Sequence, residues 1–227
     1  RPAIEAFIRQ KVEECGGNGV VVGLSGGLDS VTVSKLCADA LGPEKVLNIF
    51  MPASTTSEED RRDAEEFSNE LGIPLSVVEI APAVEAFRSM LPQPDRKECV
   101  GNVAARCRMI VLFHHAWLMG RAVMGTSNKS ELLTGYFTKF GDGGADFFPI
   151  GDLYKTEVRQ LAREIGVPEA MIEKAPSAGL WPGQTDEGEM GITYDELDQV
   201  LFGFERSLSD EAVAAETSIS LAQVRKV

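Results

Sequence analysis

Apolar positions along this chain alternate between two periods. Ile4, Phe7, Ile8, Val12 and Cys15 recur at helical spacing and predict a first helix ended by Gly16 and Gly17. Residues 19–24 (GVVVGL) follow as a short β-branched run, the pattern of a strand buried on both faces of a parallel sheet. A helix is predicted over residues 30–41, stopped by Gly42 and Pro43, and a second strand over residues 46–51. Ser57 with Asp60 has the spacing of a capping box and opens a helix carrying Ala64, Phe67 and Leu71, closed by Gly72. Residues 75–80 read as a third strand, and Val84, Phe87 and Leu91 mark another helix. A long helix over about residues 102–119 precedes a fourth strand at residues 122–125.

Strands alternating with helical patterns predict βαβ units, hence a Rossmann-like, three-layer α/β/α fold with a mostly parallel sheet. Past Gly125 the alternation breaks. Residues 135–152 hold five glycines, and residues 176–193 are rich in Gly, Pro and acidic residues, so both segments are expected to be binding loops. Thr193 and Glu196 cap a helix bearing Leu197, Val200, Leu201 and Phe204, and two short helical segments follow near residues 209–216 and 219–227. This tail has helix-turn-helix spacing. Packing of residues 193–227 on the body or on a partner subunit is the expectation, within one domain spanning 1–227.

Composition narrows the function classes. At 227 residues, 44% hydrophobic and 25% charged, the chain can bury a core without disulfides and is not a disordered or fibrous sequence. Thirty-five acidic against 22 basic residues leave a net charge of −13, which opposes non-specific binding to nucleic acid or to an anionic membrane. Cys15, Cys37, Cys99 and Cys107 form no C-x-x-C pair, which predicts a reducing, cytoplasmic compartment without a zinc site. A start at Arg1 rather than Met predicts a trimmed N-terminus, and no signal peptide is visible. The most apolar run, residues 109–119, contains His114 and His115 and is too short and polar to span a bilayer. Those histidines point about 100° apart on a helix and make a poor metal pair.

The chemistry concentrates in GLSGGLDS, residues 23–30, at the end of the first strand and the opening of a helix. Ser25, Gly26 and Gly27 lack bulk, so their N–H groups can approach an anion, and the positive end of the helix points at the same place. This is a phosphate cradle where open α/β sheets bind ligands. A Walker A loop needs a lysine, absent here, and the glycine spacing does not fit a dinucleotide fingerprint. Asp29 beside a phosphate would be repulsive without an intervening cation, so Mg²⁺ is implied.

SGGLDS resembles the pyrophosphate loop of the ATP pyrophosphatases, which cleave ATP between the α and β phosphates to adenylate a substrate. Five further blocks narrow the resemblance to the ammonia-dependent NAD synthetases: residues 101–109 (GNVAARCRM), 125–131 (GTSNKSE), 135–146 (GYFTKFGDGGAD), 153–156 (LYKT) and 176–187 (PSAGLWPGQTDE). The resemblance spans nearly the whole chain and implies an adenine nucleotide α-hydrolase-like fold. It also implies a two-step reaction. The nicotinate carboxylate of deamido-NAD attacks the α-phosphate of ATP, a co-substrate, releasing pyrophosphate, and ammonia then displaces AMP to give the amide of NAD.

By position, the resemblance implies that Gly23, Leu24, Ser25, Gly26, Gly27, Leu28, Asp29 and Ser30 hold ATP, with Asp29 and Glu131 ligating Mg²⁺. Thr126, Lys155 and Ser177 match further ATP contacts, Lys155 on the phosphates. Arg106, Lys139 and Asp146 match deamido-NAD contacts. Spacing alone reads several of these otherwise: Glu131 as a solvated helix residue, Thr126 as an N-cap, Lys155 as a surface lysine, Ser177 as a loop hydroxyl and Arg106 as a helix-surface charge. Tyr136 and Phe137 could stack on the pyridine ring or pack in the core.

The family also has a His-Lys pair in a further segment that touches deamido-NAD. This sequence stops at Val227 before it, so either that end has been removed or function is impaired. Family members are homodimers, which implies a dimer here, with the helix from Asn102 supplying apolar contact. Two alternatives stand beside the synthetase: another adenylating amidotransferase or tRNA-thiolating enzyme, which would want paired cysteines and a basic face, and a non-catalytic nucleotide-binding module, which would lack Asp29 or Glu131.

Overall fold

A computed structural model describes residues 1–92, 96–181 and 183–227. Pro182, inside the block at residues 176–187, lies outside the described residues. The first half alternates α1 (Pro2–Glu14), β1 (Val20–Gly23), α2 (Leu28–Leu41), a 3-10 turn (Pro43–Lys45), β2 (Val46–Phe50), α3 (Glu58–Glu70), β3 (Leu75–Val77) and α4 (Ala81–Met90). It continues through α5 (Lys97–Met119), β4 (Ala122–Met124) and α6 (Lys129–Thr134). The remaining helices are α7 (Lys155–Glu164), α8 (Glu169–Ile172), α9 (Asp186–Met190), α10 (Tyr194–Glu205), α11 (Asp210–Thr217) and α12 (Leu221–Val224).

The four strands pair in parallel in the order β3-β2-β1-β4. Side chains alternate between faces along each strand, and both faces are buried. Val20, Val22, Val46, Phe50 and Met124 pack with Ile8 of α1, Val31 and Leu36 of α2, Phe67 of α3 and Val158 of α7. Val21, Leu47, Ile49 and Val123 face the opposite way, onto Val84 of α4 and Ala104, Cys107 and Ala116 of α5. The sheet carries one central polar group, Asn48 of β2. It is buried but satisfied, accepting from Ser34 Oγ at 2.8 Å and donating to Ser68 Oγ at 3.1 Å.

Among the boundaries that differ from the sequence pattern, three stand out. Helix α2 begins at Leu28 with Gly27 as its N-cap, two residues before the predicted start, so Asp29 belongs to its first turn and not to a loop. Helix α5 begins at Lys97, because Gly101, which reads as a break, sits inside it. A Cβ at Gly101 would lie 2.9 Å from Leu180 Cβ, so glycine there admits a close approach of the 176–184 loop. Strand β3 ends at Val77, although the chain keeps contact with β2 through Val78 N–H to Phe50 O at 2.9 Å.

The tail lies on the body. Tyr194, Leu197 and Leu201 of α10 cluster with Tyr154 at the start of α7, and α11 and α12 close a small core on the outer side of α10 around Val200, Val213 and Val224. All four cysteines are free, with Cys37 and Cys107 buried. Burial pushes the Cys37 thiol up, as expected of an inert core cysteine. Among the described residues, no helix is long and apolar enough to cross a membrane.

Candidate active site

From β1 the chain crosses to β2 on one side, whereas β4 lies on the other, so connections diverge at the C-terminal edges of β1 and β4. Open α/β sheets bind ligands at such a switch point. A cavity of about 590 Å³ opens there. Gly23, Leu24, Ser25, Gly27, Leu28, Asp29 and Ser30 line it from the β1–α2 junction, Thr126 and Glu131 from beyond β4, Lys155 from α7 and Ser177 from the loop ahead of α9.

The cradle's conformation follows from its small residues. Gly26 has φ +81°, and a Cβ there would lie 3.1 Å from Asp60 O and 3.3 Å from Asp63 Cβ. Both the left-handed backbone and the close packing favour glycine. Ser25 N–H donates to Ser30 Oγ at 3.1 Å and Gly27 N–H to Ser25 Oγ at 3.2 Å, which holds the turn in shape. No side chain caps α2, so its first-turn N–H groups and positive end face the cavity, an arrangement suited to a phosphate. We expect Gly26→Ala to raise the half-saturating ATP concentration about tenfold or more, because the left-handed φ alone costs a non-glycine residue roughly 1–2 kcal/mol. Initial rates against ATP would check this, and an unchanged value would remove Gly26 from the cradle.

Asp29, Glu131 and Lys155, far apart in sequence, meet at one point. Lys155 Nζ bonds Asp29 Oδ2 and lies 3.8 Å from Glu131 Oε1, with the lysine only 3% exposed. It is therefore no surface lysine. Burial alone would lower the pKa of Lys155, but Asp29 and Glu131 outweigh it and hold the ammonium above its usual range. Burial, followed by the neighbouring Asp29, pushes the Glu131 carboxyl up, with Lys155 pulling it partly back. Glu131 is also a capping-box residue, its Oε2 accepting from Asn128 N–H at 3.1 Å while Asn128 Oδ1 accepts from Glu131 N–H at 3.1 Å. That box fixes one carboxylate oxygen on its own helix and leaves the other facing Lys155. Thr126 is not the N-cap; Asn128 is.

The tail supplies the scaffold for this point. Asp198 of α10 is buried and accepts from Ser130 Oγ at 2.5 Å and Thr156 N–H at 2.9 Å, while Lys155 N–H donates to Ser130 Oγ at 3.0 Å. It thereby locks the first turns of α6 and α7 together, and with them Glu131 and Lys155. Tyr194, the first residue of α10, places its hydroxyl 3.2 Å from Asp186 Oδ2 and 3.5 Å from Glu131 Oε1. Tyr136 joins the same group, donating to Glu189 Oε2 at 2.6 Å and lying 3.2 Å from Asp186 Oδ1. Tyr136 and Phe137 both line the cavity. The Ser177 hydroxyl is engaged within its own loop, donating to Gln184 O at 2.8 Å.

Arg106, Lys139 and Asp146 do not join the cavity wall. Arg106, exposed on α5, donates through Nε and Nη2 to Lys139 O, each at 3.2 Å, so these two lie together on the rim. Asp146 accepts from Val123 N–H at 2.8 Å and trims the edge of β4. Arg108 and Arg159 face the cavity, and Arg108 donates through Nε to Met51 O at 3.2 Å. Sequence reasoning placed Arg108 inside a family block without singling it out. Lys174, held between Asp60 Oδ1 and Asp63 Oδ2 at 2.7 Å each, also lines the cavity and carried no sequence signal. His115 Nδ1 bonds Val111 O one turn back on α5.

Fold and site together define an α/β protein with a cavity at the switch point of a parallel sheet, lined by a glycine turn, two carboxylates and a buried lysine. The NAD synthase family model matches residues 2–227. The NH(3)-dependent NAD(+) synthetase of Methanococcoides burtonii is 46% identical over 223 residues, covering 97% of this chain and 85% of that protein. Among solved structures, the NMN synthetase of Francisella tularensis superposes with a TM-score of 0.85 at 37% identity, covering 95% of this chain and 88% of its own. The NH3-dependent NAD synthetase of Campylobacter jejuni, solved with a nitrate ion, gives a TM-score of 0.83 at 32% identity, covering 99% of this chain and 88% of that one. The chain belongs to the NAD synthase family.

Proposed function

We propose that this protein amidates deamido-NAD with ammonia, consuming ATP and releasing AMP and pyrophosphate. The observation that carries the reading is the convergence of Asp29, Glu131 and Lys155 beside the β1–α2 cradle. A carboxylate is a poor electrophile, and adenylation turns its oxygen into a good leaving group. The cradle N–H groups and the end of α2 hold the phosphates, and Lys155 neutralises charge that builds on the departing pyrophosphate. Much of the rate enhancement then comes from holding the nicotinate carboxylate in line with the α-phosphate. The dinucleotide occupies the part of the cavity walled by Arg108, Tyr136 and Phe137, reaching Arg106, Lys139 and Asp146 only where it extends past the rim.

The donor set fits magnesium. Mg²⁺ is held by one or two carboxylates together with substrate phosphates, not by an all-protein cage. Asp29 and Glu131 are two such carboxylates, already converging on one cation, the Lys155 ammonium. Among the described residues no group of three or more His, Cys, Asp or Glu forms a ready-made site, consistent with phosphates completing the shell. Magnesium bound there would neutralise phosphate charge.

We further propose a homodimer formed through α4 and α5. Trp117 is 91% exposed and Leu118 72% at the end of α5, with Ile110 about two turns back on the same helix exposed as well, and Met90 exposed at the end of neighbouring α4. Apolar surface concentrated in this way marks an interface. Light scattering is expected to give a dimer at micromolar concentration, shifted to monomer by Trp117→Glu with Leu118→Glu. A wild-type monomer would contradict the proposal. The cytoplasm is the compartment proposed, where four free thiols persist.

The reaction is tested by mixing protein, ATP, Mg²⁺, ammonium and deamido-NAD. AMP and NAD are expected in equal amounts. Since one similar structure is an NMN synthetase, a parallel mixture contains nicotinate mononucleotide, and faster turnover there would assign the mononucleotide instead. ADP as product, or no product in either mixture, would overturn the reading.

A further inference from the structure

The hydroxyl of Tyr194 stands between two carboxylates and has one proton to give. It lies 3.2 Å from Asp186 Oδ2 and 3.5 Å from Glu131 Oε1. Glu131 Oε1 is the oxygen left facing the cavity, because Oε2 is taken by Asn128 N–H. A hydrogen bond donated to Oε1 would take one of its two lone pairs and draw off part of the negative charge that attracts a cation. Asp186 is buried at the first position of α9, lines the cavity and is within reach of two phenols, Tyr194 and Tyr136. The shorter distance favours donation to Asp186.

We propose that Asp186 is a positioning residue that draws the Tyr194 proton away from Glu131 and so keeps Oε1 available to the divalent cation. It acts through Tyr194 and does not ligate the cation itself. Tyr194 is 0% exposed, so no water competes for its proton. The packing of α10 on α6 and α7 holds the phenol in place. This inference rests on the proposed cation site at Asp29 and Glu131.

The test measures Mn²⁺ binding directly, by loss of the free-ion electron paramagnetic resonance signal, in the presence of α,β-methylene-ATP. Asp186→Asn is expected to weaken Mn²⁺ about tenfold, because a neutral amide holds the Tyr194 proton less strongly against Glu131 and because one nearby charge is removed. Adding Tyr194→Phe to Asp186→Asn leaves that charge missing but deletes the competing donor. Under the proposal the double variant recovers most of the lost affinity. If Asp186 acts only through its charge, the double variant binds no more tightly than Asp186→Asn, and the proposal falls. Unaltered Mn²⁺ affinity in Asp186→Asn overturns it as well. Binding of the analogue in metal-free buffer confirms that each variant is folded, and Asp186→Ala, which also removes the acceptor carboxylate, serves if Asp186→Asn is not. A wild-type protein that binds no Mn²⁺ with the analogue would instead overturn the cation site.

Discussion

Asp29→Ala is expected to reduce AMP formation by about three orders of magnitude or more while leaving the fold intact. The size follows from the chemistry: removing a single preorganised group that stabilises transition-state charge commonly costs about 10²–10³ in turnover. Asp29 does more than one such group, since it anchors Lys155 and faces the cradle that would hold the phosphates. Its position also explains why the fold should survive. Asp29 occupies the first turn of α2, and when it is lost Glu131 Oε1, 3.8 Å from Lys155 Nζ, remains as a counter-ion, so the buried ammonium is not left unpaired. Quenched assays of AMP with a thermal melt alongside would check both halves. Near-normal turnover would contradict the metal and phosphate assignment together.

Lys155→Ala is expected to damage both catalysis and stability. Nearly buried, Lys155 is the cation against which Asp29 and Glu131 are placed, and Asp186 adds a third carboxylate to its field. Its removal leaves buried like charges without a counter-ion, a change that typically costs about 3–5 kcal/mol. Pyrophosphate release should fall by at least about 10² in protein that remains folded, as for other lost electrostatic stabilisers. Isotope exchange between ATP and labelled pyrophosphate separates the two effects, because it reports adenylation without the ammonia step. A destabilised variant with unchanged exchange would make Lys155 a structural residue only. Restored stability in Lys155→Met with exchange still abolished would fit the catalytic role.

The parts of this site that were legible in the sequence are those that local geometry dictates. GLSGGLDS had to be a strand-to-helix turn because β-branched residues precede it and an apolar-periodic stretch follows. The parallel sheet followed from alternating periods, and the capping boxes at Ser57 and Thr193 stand where the spacing put them. Long-range convergence was not legible. Nothing local says that Lys155 turns inward; spacing alone left it equally a surface residue, and only the lock through Asp198 and Ser130 fixes its helix start. Tyr194 read simply as the first residue of a tail helix, and its hydroxyl meets Glu131 only because α10 packs back across α6 and α7. Arg106 and Arg108 differ by two positions on one helix, so they point to different sides, and the sequence block held both. The start of α5 was hidden by Gly101, a residue needed for contact with Leu180 and not for a break.

The most direct measurement is the electron density of crystals grown with α,β-methylene-ATP and Mn²⁺, using anomalous scattering to locate the metal. The phosphates should lie over Ser25, Gly26 and Gly27 at the tip of β1, with manganese touching Asp29 and Glu131 and with Lys155 turned towards phosphate oxygens. A triphosphate lodged elsewhere on the molecule, or manganese distant from both carboxylates, would contradict the site described above.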